Sequence, residues 1–600
     1  MMRFLVKLFA VVGVIAVLLF AGAIGAVIAF SPGAPTVPSA TVLTFDFERP
    51  VRERPATDPI AGLLGDSQPT VFDVVRAIDR AAKDERVKGL VARVGNTTLG
   101  PAGTQEVRDA VARFRAGGKF AVIHAEDFGE GGGGMGAYHL ASSFEEIWML
   151  PVGMLGVQGY VADIPTFRGT LEKLMIEPQF DKRTDYKTAA EQFMEREPTP
   201  ANREVTTSLL TDLFDQWVAH VAAARGLTEA QVRAAVDTAP LLDREAVEAK
   251  LIDRLGSYEE LWAQALSRAG IDPKGDAELG GDLDLLTYAG IAGDPAPLAA
   301  PSVAVVIGSG MITRGGSDPS PFGGESFGPS DIAAAIDKAA EDPRIRAILF
   351  RVDSPGGSPV GSEVVRQAVQ RAQAAGKPVV VSMADVAGSG GYWVAMDADR
   401  IVAQPGTLTG SIGVVYGKLV TRGLMEWAGV GSARIQVGAN AGIWSANTPF
   451  SDGERARMTA ILDDTYARFM QGVATGRDLE PAVVERIAKG RVYTGRQALE
   501  FGLVDALGGY DVAMDQVREL IGVAPGSPLR TIVFPEPKSQ IDYLMELAGG
   551  DAGVAVRQAV LGDALAEAEP AVRALLPWLT ATSPEEMIVM MPPMVLSPLP

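Results

Sequence analysis

The 600-residue sequence contains no cysteine, only three histidines and fewer basic than acidic residues. Without cysteine the chain cannot form disulfides, thiolate nucleophiles or Cys-ligated zinc sites. The histidines are His124, His139 and His220, so chemistry in the second half of the chain must proceed without imidazole. The 54 Lys and Arg against 74 Asp and Glu give a net charge of -20. This balance argues against nucleic-acid binding, because phosphate contacts require clustered positive charge.

One long uncharged run is present, from Leu8 to Phe30. At about 1.5 Å of rise per residue, a helix over this run would cross a bilayer core of about 30 Å. The run is longer than the apolar region of a cleaved signal peptide. We therefore predict a retained transmembrane anchor at residues 8–30.

The charges that flank this run predict its orientation. Arg3 and Lys7 precede it, and no Lys or Arg follows until Arg49. By the positive-inside rule, residues 1–7 lie in the cytosol and the remaining chain lies on the outer side. Residues 31–39, which contain several helix breakers, are predicted to form a stalk.

The chain contains an internal repeat. A shift of 258 positions places residues 77–122 on residues 335–380 without a gap, and 20 of the 46 pairs are identical. After a glycine insertion at residues 127–134, shifts of 254 and then 252 continue the correspondence. Such self-similarity indicates two copies of one structural unit.

We predict these units at residues 40–270 and 301–525, joined by a linker at 271–300 and followed by a tail at 526–600. In each unit, β-branched apolar runs alternate with amphipathic helical stretches. This alternation is typical of βαβ units on a mainly parallel sheet, so the predicted fold class is α/β. In the tail, a helix is predicted near residues 554–576.

Two glycine loops follow successive predicted strands of the second unit. One contains Gly356 and Gly357, and the other contains Ser389 and Gly390. A serine between glycines at the end of a parallel strand can present its hydroxyl as a nucleophile, while the amides of Gly356 or Gly357 and of Gly390 are predicted to stabilise an oxyanion. Two purely structural turns are the alternative. The first unit has Met135 opposite Ser389, so one copy has these residues and the other lacks them.

A nucleophilic serine needs a base, and Lys187 is the candidate. It belongs to the first unit, and the corresponding residues 440–450 of the second unit contain no Lys or Arg. A lysine can accept a proton only when burial or nearby positive charge lowers its pKa. An ordinary solvated lysine on a helix surface is the alternative.

Four segments together resemble one known family. They are Asp353-Ser-Pro-Gly-Gly357, Ser389-Gly-Gly-Tyr392, Thr409-Gly-Ser-Ile-Gly413 and Tyr186-Lys187. With the tandem repeat, they resemble the long form of the signal peptide peptidase A family, also called protease IV, of the ClpP/crotonase superfamily. The resemblance implies two ClpP/crotonase-like domains, with Ser389 as nucleophile and Lys187 as general base across the repeats. It also implies that Ser411 orients the lysine amine.

The resemblance further implies a peptidase without cofactor or metal that degrades apolar signal peptides as a homotetramer. It implies a single-pass protein of the inner membrane with its catalytic body on the periplasmic side. Asp185, where the family commonly has a different residue, is expected to point to solvent. A crotonase-type acyl-CoA enzyme and a catalytically silent membrane scaffold are the alternative functions.

Overall fold

The computed structural model describes residues 36–54, 68–130, 132–272, 283–293, 296–316, 326–535 and 589–590. The predicted cytosolic segment, the anchor at residues 8–30 and the tail helix lie outside these ranges, and the stalk lies largely outside them. No helix in the described ranges is both long enough and apolar enough to span a membrane.

The secondary structure alternates between strands and helices along most of the described chain. The strands are β1 (Thr41–Asp46), β2 (Val87–Arg93), β3 (Phe120–Ala125), β4 (Glu146–Met149), β5 (Met154–Leu155), β6 (Glu177–Arg183), β7 (Leu241–Leu242), β8 (Arg254–Leu255), β9 (Leu283–Asp284), β10 (Ser302–Ser309), β11 (Met311–Ile312), β12 (Ser326–Phe327), β13 (Ile345–Ser354), β14 (Gly356–Gly357), β15 (Val379–Gly388), β16 (Arg400–Ala403), β17 (Leu408–Gly410), β18 (Val414–Val420), β19 (Val492–Thr494), β20 (Ala506–Leu507), β21 (Arg530–Phe534) and β22 (Val589–Met590). The helices are α1 (Val71–Lys83), α2 (Pro101–Ala116), α3 (Gly134–Ala141), α4 (Arg168–Lys173), α5 (Glu191–Met194), α6 (Pro200–Arg225), α7 (Glu229–Thr238), α8 (Asp243–Glu248), α9 (Tyr258–Arg268), α10 (Leu285–Ala292), α11 (Pro329–Glu341), α12 (Pro359–Ala374), α13 (Gly390–Trp393), α14 (Arg422–Trp427), α15 (Asp452–Gly476), α16 (Pro481–Ile487), α17 (Gly495–Glu500) and α18 (Tyr510–Leu520).

Each unit is built on its own, mainly parallel sheet. The first has the strand order β8-β4-β3-β2-β1-β9. The second has the order β19-β17-β15-β13-β10-β21, with β16 pairing with β15 and with β20. Strand β10 and the central residues of β13 are buried on both faces, as their continuous apolar runs require when helices cover a parallel sheet. These sheets confirm the predicted α/β fold class.

The repeat seen in the sequence reappears in the positions of the elements. Helices α1 and α11 differ by 258 positions at both ends, and so do α2 and α12. The Tyr138 hydroxyl donates a hydrogen bond to the Leu251 carbonyl at 2.7 Å. In the second unit the Tyr392 hydroxyl donates to the Leu503 carbonyl at 2.8 Å. The two units therefore share one architecture and one of its internal polar contacts.

Three elements lie just outside the ranges expected for the units. Strand β9 and helix α10 fall within the predicted linker, and β9 pairs in parallel with β1 at the edge of the first sheet. Strand β21 falls within the predicted tail and pairs in parallel with β10. Part of the linker range and the start of the tail range therefore extend the two sheets, because short apolar segments can complete an exposed sheet edge.

The two units make direct polar contacts beneath the glycine loops. Asp385 of β15 accepts hydrogen bonds from the amides of Ala102 and Gly103 at 2.7 and 3.2 Å. Helix α2 has no side-chain cap of its own, so a carboxylate from the other unit satisfies amides of its first turn. Asp385 is four residues from Ser389, so this contact ties the first unit to the strand that carries the candidate nucleophile.

A buried ion pair reinforces this junction. Arg351 of β13 is fully buried and donates to Glu53 at 2.9 and 3.0 Å and to Glu106 at 2.8 Å. Both carboxylates come from the first unit. Removing one partner of such a group would leave an uncompensated buried charge, so the contact opposes separation of the units.

Candidate active site

Strand pairing brings Ser389 and Ser411 together. Strands β15 and β17 are parallel neighbours with Gly388 opposite Gly410, and the two serines follow these glycines directly. The Ser389 amide donates to the Gly410 carbonyl at 2.8 Å. Ser389 has a φ of 55°, which is unusual for a residue other than glycine and is characteristic of strained positions at functional sites.

A second strand pair brings Lys187 to the serines from the other unit. Strand β6 of the first unit pairs antiparallel with β18 of the second, and Arg183 lies opposite Val414. Lys187 is four residues after Arg183, and Ser411 is three residues before Val414. One two-stranded sheet that crosses the unit boundary therefore determines where the lysine lies.

The Lys187 amine contacts both serines. Its Nζ lies 2.7 Å from Ser389 Oγ and 3.0 Å from Ser411 Oγ. It also donates to the Ser411 carbonyl at 3.0 Å. A neutral amine has two N–H donors and one lone pair, which matches two contacts to Ser411 and a lone pair directed at the Ser389 hydroxyl.

Burial sets the electrostatics of this cluster. Lys187, Ser389 and Ser411 are each fully buried. Desolvation holds the pKa of the Lys187 amine well below its usual value, because burial penalises the charged form. Asp185 is exposed, as expected from the sequence. The lysine is therefore predisposed to be neutral.

The two glycine loops converge next to this cluster. A Cβ added to Gly390 would lie 3.1 Å from the Gly357 nitrogen and 3.1 Å from the Gly356 Cα. The Gly356 amide donates to the Ser354 hydroxyl at 3.2 Å. That bond occupies the amide of Gly356, so Gly357 and Gly390 are the stronger oxyanion candidates of the three glycines predicted from the sequence.

Met135, the counterpart of Ser389 in the first unit, is buried in α3, and its carbonyl accepts a hydrogen bond from the Trp217 indole at 3.0 Å. The first unit therefore has a packed core at this position.

In the described part of the chain, no three or more His, Asp or Glu side chains are grouped so that they could hold a metal ion.

Gly490 is a site residue that sequence reasoning missed. It has a φ of 78°, and a Cβ there would lie 2.5 Å from the Lys187 nitrogen and 2.7 Å from its Cα. Only a glycine permits this approach of the two backbones. Its sequence signal was weak, because no repeat correspondence or motif singles out this glycine.

We expect Gly490→Ala to lower kcat/KM about 100-fold, because displacing Lys187 by a fraction of an ångström disturbs its contact with Ser389. Gly376→Ala is the matched control, since Gly376 also has a φ of 78° but no atom within 4 Å of an added Cβ. Both variants carry the same backbone strain, and only the first displaces the lysine. Steady-state kinetics with a peptide substrate, together with thermal unfolding, would separate the effects. Equal losses of activity in the two variants would contradict this explanation.

A surface network supports the lysine segment and was also missed. Glu204 of α6 accepts hydrogen bonds from the Tyr186 hydroxyl at 2.9 Å and from Arg491 at 2.5 Å. The Arg491 guanidinium lies 4.9 Å from the centroid of the Tyr186 ring, and its carbonyl accepts from the Ser411 amide at 2.7 Å. These contacts join the residue before Lys187 to the loop that holds Ser411.

Comparison with known proteins gives matches over most of the chain. The profile of Peptidase family S49 matches twice, at residues 125–272 and 371–524. Protease 4 of Salmonella typhi is 31% identical over 503 residues, which cover 80% of this chain and 78% of that protein. The chloroplastic serine protease SPPA of Arabidopsis thaliana is 27% identical over 473 residues, covering 78% of this chain and 68% of that protein.

Among solved structures, a mutant of the 1510-N membrane-bound stomatin-specific protease in complex with a substrate peptide matches 42% of this chain and 99% of its own, at 15% identity and a TM-score of 0.25.

Proposed function

Because this chain belongs to peptidase family S49, whose long-form members resemble it in sequence, we propose that its serine peptidase activity depends on a Ser389–Lys187 dyad assembled from both units. The observation that carries the proposal is the 2.7 Å contact between Lys187 Nζ and Ser389 Oγ in a fully buried setting. A buried neutral amine next to a serine hydroxyl meets the requirements for general-base activation of that serine.

In the first step, the Lys187 amine takes the proton of the Ser389 hydroxyl while Oγ attacks the carbonyl carbon of the scissile peptide bond. The amides of Gly357 and Gly390 stabilise the negative charge that develops on the carbonyl oxygen. Collapse of this intermediate breaks the C–N bond, and the lysine ammonium returns the proton to the leaving amine. Ser411 holds the amine in place throughout, through its hydroxyl and its carbonyl.

In the second step, water hydrolyses the acyl-enzyme. The neutral Lys187 takes a proton from the water as its oxygen attacks the ester carbonyl. The ester bond then breaks, and the same proton returns to Ser389 Oγ. The cycle uses no cofactor and leaves the dyad as it began.

We propose apolar signal peptides at the membrane as the substrates. The uncharged run at residues 8–30 supports an anchor in the inner membrane, and the charges around it support a periplasmic catalytic body. An apolar peptide that fills the site would also exclude water and keep the lysine desolvated.

We further propose self-association into a homotetramer. Large apolar side chains project from one segment of the second unit that follows β18. Trp427 is 72% exposed, Ile435 is 95% exposed and Val437 is 93% exposed. Several exposed apolar side chains in one segment are a common feature of protein interfaces, so we propose a second copy of the chain as their partner.

The substrate class can be tested with two peptides of equal length. We expect the protein in detergent to hydrolyse a peptide with an apolar signal-peptide core at least 10-fold faster than a hydrophilic peptide, because an apolar peptide preserves the burial of the dyad whereas a hydrophilic peptide brings water with it. Mass spectrometry of the products measures both rates. The control is the same pair of peptides with a fluorophosphonate-inactivated sample.

The two alternative functions make different predictions for the same sample. A crotonase-type enzyme would turn over an acyl-CoA thioester without labelling of Ser389 by the fluorophosphonate. A silent scaffold would neither hydrolyse peptides nor take up the label. Either result would overturn the proposed peptidase mechanism.

A further inference from the structure

The short strand β14, which contains the candidate oxyanion residue Gly357, has two edges. On one edge lies β11, where Ile312 is the partner of Gly357 and the Ser358 amide donates to the Ile312 carbonyl at 2.8 Å. Backbone groups of a strand alternate between its two edges. The amide and carbonyl of Gly357 therefore face the opposite edge, where an extended peptide could pair with them.

The described residues 589–590 of the C-terminal tail occupy this second edge. Strand β22 runs antiparallel to β14, with Val589 opposite Gly357 and Met590 opposite Gly356. Strand β22 also lies beside β18, the strand whose pairing with β6 positions Lys187. The tail backbone therefore lies in the cleft between the glycine loop and the strand pair that brings in the lysine.

Proteins commonly bind an extended peptide in this way, as an added strand that forms main-chain hydrogen bonds with a free sheet edge. The register makes Gly357 and Val589 the pair that exchanges both backbone hydrogen bonds. Pro592 and Pro593 lack backbone N–H groups, so this ladder cannot extend beyond them. The tail thus offers a short apolar strand with a defined end.

The chain between β21 and β22 is long enough for β22 to reach the edge of β14. Strand β21 ends at Phe534, and residues 535–588 separate it from Val589. At up to about 3.3 Å per residue, a segment of this length is long enough for Val589 to reach the edge of β14 within the same chain.

We propose that the segment around Val589–Met590 is an intramolecular competitor that occupies the peptide-binding edge of β14 and so lowers the affinity for substrate. This inference rests on the proposed peptidase function and goes beyond it, because it assigns a role to the tail. Because the tail holds the Gly357 amide that the oxyanion needs, substrate must displace the tail before the chemical steps, which are then unchanged.

The test is Val589→Pro, which removes the N–H that faces Gly357 and so breaks this pairing. Thr580→Pro is the matched control, because it places the same substitution in the tail outside the paired residues. We expect Val589→Pro to lower KM about 5- to 10-fold with kcat unchanged, and Thr580→Pro to match the wild type. The rate of fluorophosphonate labelling should rise by the same factor as KM falls. All preparations must retain residue 600 by intact mass.

A second variant tests the same pairing without introducing a proline. A chain that ends at Ile588 should show the same lower KM. Adding a synthetic peptide of residues 585–594 to this truncated chain should inhibit it competitively, and the same peptide with Val589→Pro should inhibit more weakly.

The failures of the two proposals are distinguishable. An unchanged KM in both the Val589→Pro variant and the truncated chain, with activity still lost in Ser389→Ala, would overturn the role of the tail and leave the peptidase function in place. The KM difference between the wild type and Val589→Pro could also disappear when the enzyme is diluted. That result would mean that the segment binds a second copy of the chain, and it would overturn the intramolecular arrangement. Absence of peptidase activity and of labelling in every sample would overturn both proposals.

Discussion

Replacing Ser389 by alanine is expected to lower kcat/KM for peptide hydrolysis on the order of 10⁶-fold, the scale seen when a catalytic serine is removed. The Ser389 hydroxyl is the group that Lys187 Nζ contacts at 2.7 Å, so the variant removes the proposed nucleophile. Stability should change little, because the substitution removes a single oxygen atom and Lys187 keeps its two contacts with Ser411. Steady-state kinetics and labelling by a fluorophosphonate both measure the loss.

Ser362→Ala is the matched control for this prediction. Ser362 is also fully buried, and a Cβ added to Gly390 would lie 2.7 Å from its Oγ, so it belongs to the same neighbourhood. Its hydroxyl donates to the Ser358 carbonyl at 2.9 Å. We expect this variant to keep activity within about 10-fold of the wild type, because one neutral hydrogen bond contributes about 1 kcal/mol. Full labelling and hydrolysis by Ser389→Ala would refute the assignment of the nucleophile.

Replacing Lys187 by methionine is expected to lower kcat/KM about 10⁴-fold, the upper range for loss of a general base. Methionine has nearly the same length and suits the buried position, so the fold should persist. Lys187→Arg should lose as much activity, because a guanidinium does not give up its proton in a protein and cannot act as a base. Lys182→Met is the control, since Lys182 lies on β6 and pairs with Glu191 at 2.8 Å.

The pH dependence gives a second measurement of the same residue. Burial holds the pKa of Lys187 well below its usual value of 10.5, and only the neutral amine can accept the serine proton. Activity should therefore rise as pH increases through this lowered pKa and reach a plateau well below pH 10.5. A rise centred at the usual lysine pKa would contradict a buried general base. Measuring kcat/KM against pH, with stability checked at each pH, makes this comparison.

Much of the fold could be predicted from the sequence because its signals are local. The alternation of β-branched runs with amphipathic stretches predicted the α/β class, and the self-similarity at a shift of 258 predicted two related units. The ends of α1 and α11 agree with that shift. Strands β9 and β21 were placed outside the units because each is short and has no counterpart signal in the other copy.

The candidate site also contains some residues that the sequence predicted and others that only the structure revealed. Comparison of the two copies singled out Ser389 in one unit and Lys187 in the other as the candidates. It could not find Gly490, whose role depends on a close approach to the Lys187 backbone from a distant loop. Nor could it find the position of Val589 beside Gly357, since strand pairing between distant segments leaves no periodic trace.

The sequence by itself determined which chemistry is available: a serine between glycines, a lysine in place of the absent imidazole, and no thiol. Only the tertiary structure decided that this lysine and this serine, 202 positions apart, meet at 2.7 Å. It also decided that burial removes the lysine from water and lowers its pKa. The physical reason is that composition and periodicity act over a few residues, whereas desolvation and contact depend on how strands from two units pair in space.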